Sequence, residues 1–193
     1  AITKEDIQML IALTIPPNYR THYAEFARDI FLFSYFTAGI NFTDMATLRY
    51  GDIINGRIHY SRHKTQKLLS FQLIPNAMHI IEKYRNEEHE QDDYIFPILD
   101  RTIHKTPQQI FSRTHKVLQK VNRELKILGE MIGLEIPLTT YVARHSYATV
   151  LKRSGVDIAL ISESLGHSDI TTTQIYLDSF ENEQIDKALE NLL

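Results

Sequence analysis

Four residues of this chain have the side chains that phosphate chemistry requires. Arg144 lies within Thr139-Thr-Tyr-Val-Ala-Arg-His-Ser-Tyr-Ala-Thr149, His167 ends Leu165-Gly-His, Tyr176 follows it, and Lys64 lies far upstream. A guanidinium presents a planar fork that suits phosphate oxygens. An imidazole takes or gives a proton near neutral pH. A phenol, with a pKa near 10, becomes a nucleophile only when neighbours help it lose its proton. Breaking a phosphodiester needs an aimed nucleophile, cations around the non-bridging oxygens and a proton donor for the departing hydroxyl. Each residue alone has a plainer reading: Tyr176 is one of ten tyrosines, His167 an elbow residue, Lys64 a surface lysine. Their combination points to phosphoryl transfer with Tyr176 as nucleophile.

The elements that must position them can be read from periodicity and punctuation. Thr3 with Asp6 in the first turn and apolar Ile7, Leu10 and Ile11 predict a helix over 4–14, stopped by Pro16-Pro17. A helix from about Arg20 to Thr37 carries aromatic residues on many faces, so it should be central. Gly39 closes it, and Phe42, Met45 and Leu48 mark a short helix after it. Asn55-Gly56 between β-compatible runs signals a type I′ hairpin, and Leu69–Ile74 supplies a third strand. Alternation along the second strand puts Ile58, Tyr60, Arg62 and Lys64 on one face, with Arg62 and Lys64 projecting together from its end. Helices follow from Pro75 to about Arg85, from about Thr106 to Met131, from Thr139 or Thr140 to Ser154, and from Asp157 to Gly166, with Gly155 as a stop signal. Ser168 or Asp169 caps the helix that carries Tyr176. His167 then lies in an elbow between helices. On a straight helix nine residues separate His167 and Tyr176 by roughly 13 Å, so the two should meet at a phosphate rather than at each other. A closing helix from Phe180 to Leu193 sets Ile185, Ala188, Leu189 and Leu192 in a stripe that must be buried, either on its own domain or on a neighbouring protomer. The fold class expected is mainly α with a small three-stranded antiparallel sheet, in one domain over 1–193.

Charge is segregated along the chain. The net charge is −3, yet between Arg101 and Lys126 there are seven bases and one acid, while acids cluster at 87–93 and in the last sixteen residues. Arg113, Lys116, Lys120 and Arg123 fall within about 80° of one another on a helix. That stripe is either a solvated face or a contact for the DNA backbone. There is no cysteine, and therefore no disulfide framework. His59 and His63 are four apart on a strand and do not converge, so no metal site is expected. No run is long enough to span a bilayer, and nothing at the N-terminus resembles a signal peptide; a cytoplasmic protein, associated with the nucleoid when acting, is the expectation.

At these residues the chain resembles the tyrosine recombinase, or phage integrase, family. Ala143-Arg-His-Ser-Tyr-Ala-Thr149 resembles that family's arginine box, Leu165-Gly166-His167 its second histidine box, and Tyr176 stands at its nucleophile spacing. Lys64 matches the family's β-hairpin lysine, and Thr37-Ala-Gly-Ile-Asn-Phe-Thr-Asp44 the segment with the first arginine and a supporting acid. Two positions depart from the pattern: Asn41 stands where the family has its first arginine, and Tyr141 where it usually has a histidine. The first departure is similar to that of some integrases of conjugative transposons, and Arg62, beside Lys64, is a candidate replacement cation. The resemblance implies the DNA-breaking-rejoining catalytic fold and site-specific recombination of double-stranded DNA through a 3′-phosphotyrosyl intermediate, with neither metal nor ATP. It also implies other protomers assembled through residues 181–193, a monomer or weak self-association without DNA, and a separate DNA-clamping domain N-terminal to this segment. Two other readings use the same residues: a type IB topoisomerase-like activity and a non-catalytic DNA-binding accessory protein.

Overall fold

The structure is a computed structural model that describes residues 1–17, 21–190 and 192, with no account of side chains 21, 179–184, 187 and 188. Helix α1 (Lys4–Ala12) begins at a reciprocal cap in which Thr3 and Asp6 bond each other's backbone N–H, as the sequence predicts. Helix α2 (Thr21–Phe36) is the hub. It packs against α4 (Pro75–Tyr84), α5 (Pro107–Met131) and α6 (Thr140–Arg153), and Ala24, Phe26, Ala27, Ile30, Phe31, Leu32 and Phe33 are all buried. Burial around so much of its circumference explains the aromatic residues on several faces. Its one buried acid, Asp29, accepts from Lys83 and Tyr84 at 2.7 Å each.

Helix α3 (Phe42–Ala46) is capped by the Asn41 side chain. Strands β1 (Ile53–Ile54), β2 (Arg57–Ser61) and β3 (Leu68–Gln72) form an antiparallel sheet in the order β1-β2-β3. Asn55 and Gly56 both have positive φ, 50° and 71°, as a type I′ hairpin demands. The sheet is shorter than the alternation suggests, because β2 ends at Ser61. A turn held by Gln66 N–H to Arg62 O (2.7 Å) and Gln66 Nε2 to His63 O (2.8 Å) replaces the strand. Arg62 and Lys64 therefore do not project together: Arg62 is 7% exposed, and Lys64 stands in solvent.

Two packing units result. The large one joins α1 to α6 and the sheet; the small one consists of Ala148, Ile161, Leu165 and Leu177, with Tyr147, Leu151 and Tyr176 against it. Helix α7 (Ile158–Ser164) and helix α8 (Ile170–Glu190) meet at Gly166-His167. The separate closing helix expected from Phe180 is absent, since α8 runs unbroken past it. Within its stripe Ile185, Leu189 and Leu192 are exposed; the side chain of Ala188 lies outside the described residues.

Candidate active site

Helix α6 brings Arg144 under the elbow between α7 and α8. The residue is 5% exposed, and its guanidinium donates from Nη1 to Gly39 O (2.8 Å) and from Nη2 to Leu165 O (2.6 Å). Nη2 also lies 3.3 Å from His167 Nε2. Because an arginine only donates, Nε2 is the acceptor there, and Nδ1–H donates to Thr173 Oγ1 at 2.7 Å. His167 is thus a neutral imidazole of defined tautomer. Burial, and then the charges of Arg144, Arg62, Lys64 and Lys67, pull it down to about 4.

Arg62 enters from the sheet side. Its Nη1 donates to Gly166 O at 2.8 Å, a carbonyl that also accepts from Thr65 Oγ1 at 3.3 Å. Its Nε is buried without a hydrogen-bond partner among the described residues. Burial, and after it the charge of Arg62, lowers the pKa of Arg144. Two guanidiniums are thus buried near each other on backbone carbonyls, and among the described residues neither forms a salt bridge with a carboxylate. Like charges held this way in a poorly solvated place are stabilised by an anion.

Tyr176 is far closer to His167 than the rise of a straight helix suggests. Their ring centroids are 6.3 Å apart at 80°, because His167 lies outside α8, which begins only at Ile170, and the two side chains reach toward each other. His145 stacks on the Tyr176 ring at 3.8 Å and 21°, and Tyr141, 60% exposed, meets it edge-on at 6.2 Å. Burial, then the neighbouring Tyr141, pushes the Tyr176 phenol well above the ordinary tyrosine value, with Arg144 opposing. Here Tyr176 is a protonated phenol.

A cavity of about 530 Å³ opens beside Arg144, lined by Asn41, His63, Lys64, Asn122, Thr140 and Tyr141 among others. Asn41 contributes an N-cap, accepting from Asp44 N at 3.0 Å, and no charge. Asp44 is 2% exposed and accepts from the backbone N and ring Nδ1 of His63. The basic stripe of α5 does not reach this cavity. Leu118 and Asn122 line it, and at 100° per residue the stripe is centred about 160° around the helix from them. Arg113 instead donates to Ile98 O (3.1 Å), Lys120 lies over the Tyr23 ring (5.4 Å), and Lys116 and Arg123 are exposed. Sequence reasoning missed Asn122, whose Oδ1 holds Thr140 N at 2.9 Å, and the pairing of His63 with Asp44; no periodic signal marks either.

Residues 2–183 match the phage integrase family. The chain belongs to that family. Among curated relatives of this integrase segment, the tyrosine recombinase XerD of Listeria monocytogenes is 30% identical over 147 residues, 73% of this chain and 46% of the relative. XerD of Rhizobium meliloti is 32% identical over 131 residues, 66% of this chain and 39% of the relative. The segment thus spans less than half the length of these relatives. The fold is that of the XerA recombinase (TM-score 0.62, 20% identity, 97% of this chain and 64% of that one). It is shared by the Tn1549 transposon integrase in complex with circular intermediate DNA (TM-score 0.57, 16% identity, 100% and 66%). The mainly helical architecture with a three-stranded sheet is therefore the tyrosine recombinase catalytic fold. No helix among the described residues is long and apolar enough to cross a membrane.

Proposed function

We propose that this chain cleaves and rejoins double-stranded DNA in site-specific recombination of a mobile element. Tyr176 Oη attacks the scissile phosphorus and gives up its proton to solvent water, the P–O5′ bond breaks, and Lys64 protonates the departing 5′-oxygen. The products are a 3′-phosphotyrosyl bond and a free 5′-hydroxyl. The backbone energy is kept in that ester, so rejoining is the same step reversed. Arg144 and Arg62 surround the non-bridging oxygens, with Arg62 in place of the guanidinium that Asn41 lacks, and His167, whose Nε2 accepts from Arg144, orients the Arg144 guanidinium.

The observation that carries this reading is the pair of buried guanidiniums, without carboxylate partners among the described residues, gathered with His167 and Tyr176 around the α7–α8 elbow, where Arg144 also lines the cavity. DNA approaches over Lys64 and the Phe111–Leu118 face of α5, while Lys116 and Arg123 on its far flank meet the backbone at a distance or remain solvated. In assembled complexes residues 181–193 dock on a second protomer. A lambda integrase dimer has been seen on a core site, and the exposed Ile185 and Leu189 of this chain are available for such a contact. Deleting 181–193 should then weaken assembly on DNA; unchanged assembly would refute the exchange.

The buried, protonated phenol and the uncharged Asn41 favour a second reading, a DNA-binding accessory protein without cleavage. Nicked duplexes of randomised sequence, incubated with the full chain and resolved on a denaturing gel, separate the two. A covalent adduct formed by the unaltered chain and lost in Tyr176→Phe supports the recombinase, and the captured DNA gives its site. Binding without adduct supports the accessory protein.

A further inference from the structure

The turn between β2 and β3 carries His63, to which the reactions above give no part. Its backbone N–H and ring Nδ1–H both donate to Asp44 Oδ1, at 2.9 and 2.6 Å. Asp44 Oδ2 is buried without a hydrogen-bond partner among the described residues, an arrangement that costs free energy and that a pair kept only for stability has no reason to retain. The His63 side chain, in contrast, is about half exposed (52%). It lines the cavity together with Asn41 from α3, Lys64 from its own turn, Asn122 from α5, and Tyr141 and Arg144 from α6. With Nδ1 committed to Asp44, Nε2 is the ring nitrogen left for a ligand. A carboxylate behind an imidazole fixes the ring's orientation and offsets the positive charge of its protonated form. Asn41, three residues before Asp44, leaves this side of the cavity without the guanidinium that the family pattern would place there.

We infer that His63, oriented by Asp44, is a further catalytic residue: its Nε2–H bonds a non-bridging oxygen of the scissile phosphate and, as imidazolium, supplies positive charge on the Asn41 side. The inference rests on the phosphate-site reading above and adds a donor opposite Arg144. No bond to His63 is made or broken. Negative charge grows on the equatorial oxygens as the Tyr176–phosphorus bond forms and subsides as the 5′-oxygen leaves, and the imidazolium is complementary to that charge. Asp44 is a positioning residue in this scheme.

The test is single-turnover cleavage of a duplex captured by the randomised selection, made with either an ordinary phosphate or a methylphosphonate at the scissile position. The methylphosphonate removes one negative charge, so a missing cation should matter less there. Loss of one donor to a transition-state oxyanion costs roughly 10²-fold, so His63→Ala should slow the phosphate substrate by about that factor and the methylphosphonate only a few-fold. Asp44→Asn should show the same selectivity. Cleavage of the phosphate by His63→Ala at the unaltered rate would overturn the inference. So would equal losses on both substrates, the result expected from a damaged fold. If Tyr176→Phe abolishes the adduct while His63→Ala leaves it undiminished, only the role of His63 is lost. An adduct persisting in Tyr176→Phe removes the phosphotyrosyl reading itself.

Discussion

Replacing Gly166 by alanine tests whether Arg62 is held in place for chemistry. Gly166 has φ 67°, and an L-residue in that left-handed region costs about 1–2 kcal/mol. An added Cβ would also sit 3.0 Å from Leu69 Cδ1 and 3.1 Å from Arg62 Cδ, closer than carbon atoms normally pack. The Arg62 side chain must move by a few tenths of an ångström, away from the carbonyl that it contacts at 2.8 Å. Gly155 offers a matched control, with φ 83° and no atom within 4 Å of a built Cβ. Both alanine variants should therefore lose similar stability, a fall in Tm of about 2–8 °C for a domain of this size. Only Gly166→Ala should lose cleavage, by roughly tenfold or more, because small misplacements of a charge-stabilising group are costly. Differential scanning calorimetry and the single-turnover adduct assay measure the two quantities. Equal cleavage by the two variants at equal loss of stability would refute the claim that Gly166 positions Arg62 at the phosphate.

Other measurements bear on separate parts of the site. Arg62→Ala should reduce adduct formation roughly 10²-fold, and Asn41→Arg in that background should restore part of it; undiminished cleavage by Arg62→Ala removes Arg62 from the reaction. His145 and His167 are both pulled down to about 4, chiefly by burial. Between about pH 4 and 6.5 the unfolded chain therefore binds more protons than the folded one, and stability rises with pH across that window and levels off above it. Denaturant titrations from pH 4 to 8 should show this, and His167→Gln should flatten the slope. Burial raises the Tyr176 phenol, so the ionisation difference spectrum between the unaltered chain and Tyr176→Phe should stay flat up to about pH 11. Leu177 is 1% exposed in the small packing unit. Leu177→Ala should cost about 2–5 kcal/mol there, and hydrogen exchange should show α8 deprotected while α2 remains protected.

Much of this architecture is local and so was legible in the sequence. The Thr3–Asp6 cap, the Asn55-Gly56 turn and the aromatic run of α2 each reflect interactions within a few residues or a burial pattern along one element. The tyrosine recombinase motifs located Arg144, His167 and Tyr176 in the same way. What could not be read were the places where distant segments override local periodicity. β2 stops at Ser61 because Asp44 and Gly166 grip the following turn, so alternation misplaces Lys64 relative to Arg62. The roughly 13 Å rise between His167 and Tyr176 assumed a straight helix, whereas His167 precedes the first turn of α8 and the two side chains bring their ring centroids to 6.3 Å. The α5 stripe is regular in sequence, but regularity does not say which flank faces the cavity, and the core residues Val117, Val121 and Leu125 decide that. His63 carries no signal at all until Asp44 is seen beneath it.

Helix α6 belongs to both packing units, through Ala143 on one side and Ala148 on the other. Arg144 therefore shares the foundations of the larger body, while the phenol rides on a seat built, among the described residues, from four fully covered side chains. Lifting that seat would withdraw the nucleophile and leave the cationic cradle assembled. On the proposed reaction, gripping a DNA strand and committing to cut it are then separable events, and the second is withheld when α8 is undocked.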